Sequence, residues 1–344
     1  MNYQGRYKIF PSEQIKTYPV SERQNKVKLA DLVTPAQVWE QEYEVPEEIR
    51  EKISELAAQI VEFRQTGKPV VLFTGAHLIK NGLGPLLVDL VRQDAVSLVA
   101  GNAATAIHDF ELALIGETSE HVPNALGKGE FGMAYEFAYH NEALKLGNNQ
   151  DLGYGESLGR MICDEKYRDE VLQKAAREES PRVFMHSQLS VLATCYKYNV
   201  PFTVHAGIGT DVIDQHPSFD GQAKGGCSGR DFLIYANEVC KFTEGGLALN
   251  IGSAVQGPEV LLKAVSMAAN IGCTPNPLNT ADFDIRPFNK EQMTDESQSG
   301  YYNRDQKSVV TRAPEAFHGT GLYIEGNQKQ TFPLLYREII KNIR

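Results

Sequence analysis

VVLFTGAHLIKNGLGPLLVDLVRQDAVSLVA, at residues 70–100, holds two short apolar runs separated by an apolar-periodic segment. The run VVLFT at 70–74 has the length of a buried strand, and AVSLVA ends a second run at Ala100. Between them a glycine-containing loop leads into LGPLLVDLVRQD, whose apolar residues recur at helical spacing. A strand, a helix and a strand within about thirty residues predict a βαβ unit and therefore a parallel sheet.

The same alternation returns in the second half of the chain. The apolar runs PFTVHA, LALNIG and PLNTA are separated by the helical patterns DFLIYANEVCKFTEGG and PEVLLKAVSMAAN, all between residues 201 and 281. A helix with acids in its first turn is predicted from Pro46. Residues 1–45 are expected to form an irregular N-terminal arm, because Pro11, Pro19 and Pro35 interrupt them and Pro46 follows. We therefore predict one α/β domain over 46–344, with a doubly wound, mostly parallel, Rossmann-like sheet and helices on both faces.

Composition limits the classes of partner. The 344 residues include 34 Lys+Arg and 44 Asp+Glu, which gives a formal net charge of -10. Phosphate binding needs concentrated basic surface, so nucleic acid is not an expected partner, whereas a cationic substrate suits an acidic chain. The five cysteines are scattered without a C-x-x-C, and no apolar stretch has the length of a membrane span. These features predict a cytoplasmic protein without a membrane partner.

Five segments follow apolar runs, at the strand ends where open parallel sheets bind ligands. They are TGAHLIKNG at 74–82, GNAATAIHD at 101–109, HAGIGTDVID at 205–214, GSAVQGPE at 252–259 and NTADFD at 279–284. Small residues allow backbone amides to approach a phosphate or ribose, so these segments are predicted dinucleotide contacts. None of the five carries G-x-G-x-x-G or the P-loop motif, so neither conventional fingerprint is indicated.

Two further groups of residues suggest chemistry. Several acids and Lys307 lie in a polar stretch after residue 282 that is predicted to cover the sheet edge, where the lysine could form a Schiff base. His205, Asp211, Asp214 and His216 lie within twelve residues. Imidazole and carboxylate suit zinc, iron or manganese, so a metal-dependent hydrolase using His205, Asp214 and His216 is an alternative reading.

Longer strings resemble the deoxyhypusine synthase family. Residues 71–116 are similar to the family segment that builds its NAD site, and NVPFTVHAGIGTDVID at 199–214 resembles the strand leading into its Asp-rich polyamine loop. LALNIGSAVQGPEVLLKAVSMAAN at 247–270 takes the place of its triple-glycine strand and helix. NTADFD at 279–284 is similar to its Asn-Thr-Ala cofactor loop, and TFPLLYREI at 331–339 resembles its C-terminal helix.

The resemblance implies a homotetramer with sites at subunit interfaces and NAD as cofactor. It implies a transferase that oxidises spermidine, releases diaminopropane, and carries the aminobutyl group as a lysine imine to an acceptor amine. Lys307 would be the imine lysine, Glu259 and Asp214 would take part in catalysis, and Asp211, Asp214 and Asp282 would meet substrate amines. The residues expected to line NAD are Thr74, Gly75, Asn102, Ala103, Ala104, His108, Asp109, Asn279, Thr280 and Ala281.

The chain also departs from the family pattern. Gly257, Pro258 and Glu259 replace the family's Lys-His-His, and Lys307 follows Asp305 and Gln306 instead of Trp-Gly. These changes favour a small acceptor amine such as putrescine, giving homospermidine, over a protein lysine. A non-catalytic protein that binds NAD or a polyamine is the remaining alternative.

Overall fold

The computed structural model describes residues 3–293 and 295–343. The limits predicted for the arm and the domain, residues 1 and 344, lie outside this range. The strands are β1 Asn25–Lys28, β2 Val70–Thr74, β3 Leu98–Asn102, β4 Glu117–Glu120, β5 Phe202–His205, β6 Gly246–Ile251, β7 Leu278–Asp284 and β8 Gly321–Glu325.

The helices are α1 Pro35–Glu40, α2 Glu47–Gln65, α3 His77–Lys80, α4 Gly84–Arg92, α5 Ala103–Ile115, α6 Val122–Leu126, α7 Phe137–Asn149, α8 Tyr154–Cys163, α9 Glu165–Ala175, α10 Val191–Tyr198, α11 Gly221–Val239, α12 Gln256–Asn270, α13 Ala313–Ala316 and α14 Gln328–Ile343. A π-helical turn spans Gln306–Arg312. Among the described residues, no helix combines the length and apolar character needed to cross a bilayer.

The main sheet has the strand order β5-β3-β2-β6-β7-β8, and every neighbouring pair is parallel. Numbered along the chain, this order is 3-2-1-4-5-6, which is the doubly wound arrangement found in dinucleotide-binding domains. The direction of winding reverses between β2 and β6, so the crevice for a ligand is expected at their carboxyl ends. The predicted fold class is confirmed.

Helices cover both faces of the sheet. All residues of β2 and β6 are buried, as expected for parallel strands between two helical layers. Residues 70, 72, 247 and 249 pack with α2, α4 and α14, whereas residues 71, 73, 98 and 248 pack with α11, α12 and the π-helical turn. The alternation of side chains along each strand therefore separates the core into two layers.

Two segments differ from the sequence reading. Residues 279–284 were expected to follow a strand, but β7 continues to Asp284 and pairs with both β6 and β8. Alternate residues of β7, including Ala281 and Phe283, are buried on one face, and the polar residues find partners on the other. The N-terminal segment contains β1, which pairs antiparallel with β4, and α1.

Candidate functional site

The switch point of the sheet is formed by the segments that follow β2 and β6. The Gly75 amide donates to the Ile251 carbonyl at 3.0 Å, so the two segments lie against each other. A Cβ atom on Gly75 would lie 2.2 Å from the carbonyl oxygen of Gly252, a distance that no side chain tolerates. Glycine at 75 is therefore required by the close approach of two backbones.

The carboxyl end of β3 lies beside this point. Asn102 ends the strand and caps α5, because its Oδ1 accepts from the Thr105 amide at 2.9 Å. Ala103 and Ala104 form the first turn of α5, a helix of 13 residues whose N-terminus has positive polarity. Thr74 pairs in register with Gly101. The structure thus brings together five of the expected cofactor residues, which are Thr74, Gly75, Asn102, Ala103 and Ala104.

The other expected cofactor residues lie elsewhere. His108 is one turn further along α5, with Nδ1 2.7 Å from Thr118 Oγ1. Asp109 is buried and accepts hydrogen bonds from Ser190 Oγ and the amides of Val191 and Leu192, so it anchors the N-terminus of α10. Burial raises the pKa of Asp109 to about 6 against these hydrogen bonds. Its side chain has a structural role in place of the expected contact with NAD.

Asn279, Thr280 and Ala281 lie in the amino-terminal half of β7. Asn279 Oδ1 accepts from the Thr320 amide at 3.0 Å, and Thr280 donates to the Val309 carbonyl. Ligands of an open parallel sheet bind at the opposite, carboxyl edge. The three residues are therefore part of the sheet and do not line the crevice.

A cleft of about 410 Å³ between α11 and α12 opens at the carboxyl end of β5. His205, the last residue of β5, and Phe232 form part of its wall, and Gln256 Nε2 donates to the His205 carbonyl at 2.9 Å. Gly225 and Gly229 of α11 face open space, since a Cβ on either would meet no atom within 4 Å. The glycine-rich run GQAKGGCSG at 221–229 could have indicated this cleft, but the sequence analysis did not predict a site there.

Asp211 and Asp214 bind a lysine of the same chain. Lys224 Nζ lies 2.7 Å from Asp211 Oδ2, 2.5 Å from Asp214 Oδ1 and 2.8 Å from the Gly207 carbonyl oxygen. Only 1% of Lys224 is exposed. An internal ammonium therefore occupies the position that was expected for a substrate amine between these carboxylates.

The proposed metal ligands do not converge. The His205 ring lies 5.5 Å from the Phe73 ring and 5.4 Å from the Tyr235 ring, and burial lowers its pKa to about 3. His216 Nδ1 is 2.7 Å from Ser218 Oγ, and Asp214 binds Lys224. Within residues 3–293 and 295–343, no three His, Cys, Asp or Glu side chains are grouped for a metal ion. The hydrolase alternative therefore lacks its ligand set.

Lys307 lies in the first turn of the π-helical segment, and only 8% of the residue is exposed. Its Nζ is 3.2 Å from the centroid of the Tyr301 ring. Burial lowers the pKa of Lys307, and the positive charges of Arg312 and Arg304 lower it further, against an opposing effect of Glu296. A lower pKa increases the fraction of neutral amine, which is the nucleophilic form.

Glu259 stands in the first turn of α12 and lines the cleft. It forms ion pairs with Lys263 and with Arg304 Nη1, the latter at 2.8 Å. The hydrogen bond from Lys263 lowers the pKa of Glu259, with a further contribution from Arg304 against partial burial. Arg304 thus connects the ionised Glu259 to the segment that carries Lys307.

A buried polar cluster lies near the carboxyl ends of β6, β7 and β8. Asn250 Nδ2 donates to Asp282 Oδ1 at 2.7 Å, and Arg286 forms ion pairs with Asp284 and Asp305. Burial raises the pKa of Asp282 well above its ordinary value, and the charge of Asp305 raises it further, although the Asn250 hydrogen bond opposes this. Asn250 and Arg286 were missed because neither belongs to a recognisable motif.

One glycine pattern in the sequence lies away from this edge. GKGEFG at 127–132 has the spacing G-x-G-x-x-G, but it follows α6 and does not follow a strand of the main sheet. The Gly132 amide donates to Glu120 Oε2 at 3.0 Å. A carboxylate already occupies the position where a phosphate would accept from this amide.

No protein-family model matches the sequence, and no curated protein matches it. Solved structures match it at low identity. AgrE, crystallised in a ternary complex with ornithine and NAD+, is 14% identical over 88% of this chain and 34% of its own, with a TM-score of 0.47.

A protein from Methanococcus maripaludis assigned to the LOR/SDH group is 14% identical to this chain. The match covers 87% of this chain and 71% of that protein, and its TM-score is 0.45. A protein from Entamoeba histolytica assigned as a deoxyhypusine synthase is 10% identical to this chain. The match covers 85% of this chain and 89% of that protein, and its TM-score is 0.45. The chain spans about a third of the length of AgrE.

Proposed function

We propose that this protein is an NAD-dependent enzyme that acts on an amine through an imine on Lys307. The observation that carries the proposal is the position of Lys307, a buried lysine beside an aromatic ring and two arginines. Its segment packs on β7 and β8, and the sheet has the strand order of dinucleotide-binding domains. A lysine with a lowered pKa near the carboxyl edge has the chemistry needed to attack an imine carbon.

The residues at the switch point fit a dinucleotide. Thr74 and Gly75 would hold it after β2, and Asn102, Ala103 and Ala104 would hold it at the N-terminus of α5. Gly75 and Gly252 lie in close contact at the centre of this edge, and neither residue has a side chain. NAD, when bound, would accept a hydride from the carbon beside the amine nitrogen and, as NADH, would return it to the imine formed with the acceptor, so that the overall transfer is redox-neutral.

The chain's own residues would perform the remaining steps. The neutral amine of Lys307 attacks the carbon of the oxidised substrate, which releases one amine and leaves an imine on the lysine. Glu259 is ionised and linked to the same segment through Arg304, so it can accept a proton from the incoming amine. We propose that the substrate is a polyamine such as spermidine and that the group is transferred to a small acceptor such as putrescine.

The first experiment is incubation of the purified protein with NAD and spermidine, with and without putrescine, followed by mass spectrometry. Diaminopropane together with homospermidine is the expected result. Lys307→Ala should abolish product while NAD binding, measured by calorimetry, stays within about twofold of the unaltered protein. Lys290→Ala is the matched control, because Lys290 lies in the same polar segment and is largely exposed.

Two outcomes would contradict the proposal. Normal turnover by Lys307→Ala would remove the lysine from the mechanism. Tight binding of NAD and of the amine by the unaltered protein, with no product from any polyamine, would support the non-catalytic binding protein instead.

A further inference from the structure

A cavity of about 440 Å³ lies outside the main sheet, beside the two-stranded sheet of β1 and β4. Its lining comes from the N-terminal segment, at residues 18–24, and from the end of β4 and the segment after it, at residues 120–130. Small-molecule sites have volumes of about 300–1,000 Å³, so this cavity has the size for such a ligand. None of the residues expected to hold NAD lines it.

Two side chains that line this cavity have a buried nitrogen without a partner. Arg23 Nε donates to Asn25 Oδ1 at 2.8 Å, and Nη1 donates to Glu111 Oε1 at 2.6 Å. Within the described part of the chain, neither Arg23 Nη2 nor His121 Nδ1 has a hydrogen-bond partner. Only 7% of Arg23 is exposed, and buried polar groups are almost always hydrogen-bonded, so its guanidinium group indicates a missing acceptor.

The lining of this cavity contains both unpaired nitrogens. Arg23 also lines a second cavity of about 390 Å³, but His121 does not. Burial alone would lower the pKa of Arg23, whereas the charges of Glu111 and Glu120 raise it. Glu120 lines the first cavity, so the guanidinium group lies within reach of the charges there. We therefore place the missing acceptor in the first cavity.

The guanidinium group determines one half of the ligand. An arginine has donors and no acceptor, so the group opposite Nη2 of Arg23 must be an acceptor. An ionised acceptor forms the shorter and stronger hydrogen bond with a guanidinium group. Glu111 already pairs with Nη1, so a second carboxylate suits Nη2. His121 can donate to the same carboxylate when Nδ1 carries the proton of the imidazole ring.

The acidic residues of the lining determine the other half. Glu120 accepts from the Tyr18 hydroxyl at 3.0 Å, and this donor carries no charge. Glu22 and Glu130 lie at the exposed rim of the cavity, where Lys128 Nζ is 3.7 Å from Glu130 Oε2. Three carboxylates around one lysine repel a phosphate dianion but attract an ammonium group.

From these two halves we infer that this cavity binds a free α-amino acid, with its carboxylate on Arg23 and His121 and its ammonium group towards Glu22 and Glu120. The two charged groups of an α-amino acid are joined through a single carbon, so both fit in one cavity of this size. The site lies apart from the switch point of the sheet. It is therefore a second ligand site of this chain, whatever reaction takes place at Lys307.

The first test is thermal unfolding of the full chain without NAD, in the presence of each standard amino acid at millimolar concentration. At least one amino acid should raise the unfolding midpoint, because a ligand that binds only the folded state stabilises it. His121→Leu should weaken binding of that amino acid in calorimetry by about 10- to 100-fold, the effect of a lost hydrogen bond to a charged group. His186→Leu is the matched control, because His186 is also half-buried and does not line the cavity.

A second variant tests the arginine. Arg23→Lys keeps a positive charge beside Glu111 but removes Nη2, so it should weaken binding to a similar extent. An amino acid that binds both variants as tightly as it binds the unaltered protein would lie elsewhere and would overturn the inference. The same conclusion would follow if no amino acid raised the unfolding midpoint.

A ligand series tests the inference without any substitution. The N-acetyl derivative of the bound amino acid lacks the ammonium group, and its primary amide lacks the carboxylate. Each should bind at least about 10-fold more weakly than the amino acid itself. Equal binding of either derivative would contradict recognition of both charges. Inorganic phosphate that protects the protein as well as the amino acid does would overturn the inference in favour of a phosphate ligand.

Discussion

Burial governs the ionisable side chains that matter most in this molecule. Lys307 has a lowered pKa because partial loss of water around its ammonium group and the charges of Arg312 and Arg304 disfavour the protonated form. Asp282 and Asp109 have raised pKa values for the same physical reason, since burial disfavours the charged form of any group. Residue type alone indicates none of these shifts.

Asp231 provides a test of this effect on stability. It is buried between α8 and β5, where it accepts hydrogen bonds from the amides of Val204 at 2.6 Å and Gly155 at 3.0 Å. Burial raises the pKa of Asp231 from 3.8 to about 7 against those hydrogen bonds. The folded state therefore holds a proton that the unfolded state releases, so this group's contribution to stability is present below about pH 4 and is lost as the pH rises through 7.

We expect Asp231→Asn to change the free energy of unfolding at pH 5 by less than about 1 kcal/mol, because its amide oxygen can replace Asp231 Oδ2, which accepts both backbone hydrogen bonds. The variant should also lose less stability than the unaltered protein between pH 5 and pH 7.5. Urea unfolding at the two pH values measures both effects. An identical pH dependence in the two proteins would mean that Asp231 does not carry the proton.

At the scale of the element, α12 owes its position to the glycine in its first turn. A Cβ on Gly257 would lie 2.2 Å from Asn250 Oδ1 and 2.9 Å from the Phe73 ring. This close approach brings the helix onto the same Asn250 that donates to Asp282. The family resemblance aligned residues 257–259 with catalytic positions, whereas the structure gives Gly257 a packing role.

Gly257→Ala should destabilise the protein by about 1–3 kcal/mol, since the added methyl group forces Asn250 or Phe73 to move. Gly229→Ala is the matched control in α11, because a Cβ there meets no atom within 4 Å. This control should leave stability unchanged or raise it by up to about 1 kcal/mol, through the better helix propensity of alanine. Thermal unfolding of the two variants compares them, and equal destabilisation would contradict the packing argument.

At the scale of the whole molecule, apolar side chains lie exposed around the cleft. Ile208, Leu233 and Val255 are more than half exposed, and Ile208 lines the cleft itself. Leu233 follows Gly229 by four residues and so shares its face of α11. Exposed apolar side chains grouped around one opening are typical of a surface that another chain covers.

These exposed side chains favour a subunit contact at this surface, and we propose that the contact belongs to the homotetramer that the family resemblance implies. Multi-angle light scattering should give the mass of four chains, and Leu233→Glu should shift the distribution towards smaller species because a buried charge opposes association. Gln173→Glu is the control for the added charge, because Gln173 is an exposed residue of α9 that does not line the cleft. A monomeric unaltered protein would contradict both the tetramer and sites shared between subunits.

The fold and the small residues at the switch point of the sheet could be predicted because they depend on local patterns. The apolar runs at 70–74 and 247–251 have the length and composition of buried strands, and the glycine and alanine residues after them suit turns at strand ends. The position of β7 could not be predicted, because a polar strand such as LNTADFD becomes a central strand only when neighbouring elements satisfy its polar side chains. The same holds for Asp211 and Asp214, whose partner is ten or more residues away.

The sequence by itself determined a doubly wound parallel sheet and the small residues around its switch point, because both arise from periodicity and from the requirements of short turns. Only the tertiary structure decided which ionisable groups are available. It buries Lys307 near the sheet edge, pairs Lys224 with Asp211 and Asp214, and joins the buried Asp282 to Asn250. The physical reason is that charge and hydrogen bonding inside a protein depend on distances between residues far apart along the chain, which local patterns do not encode.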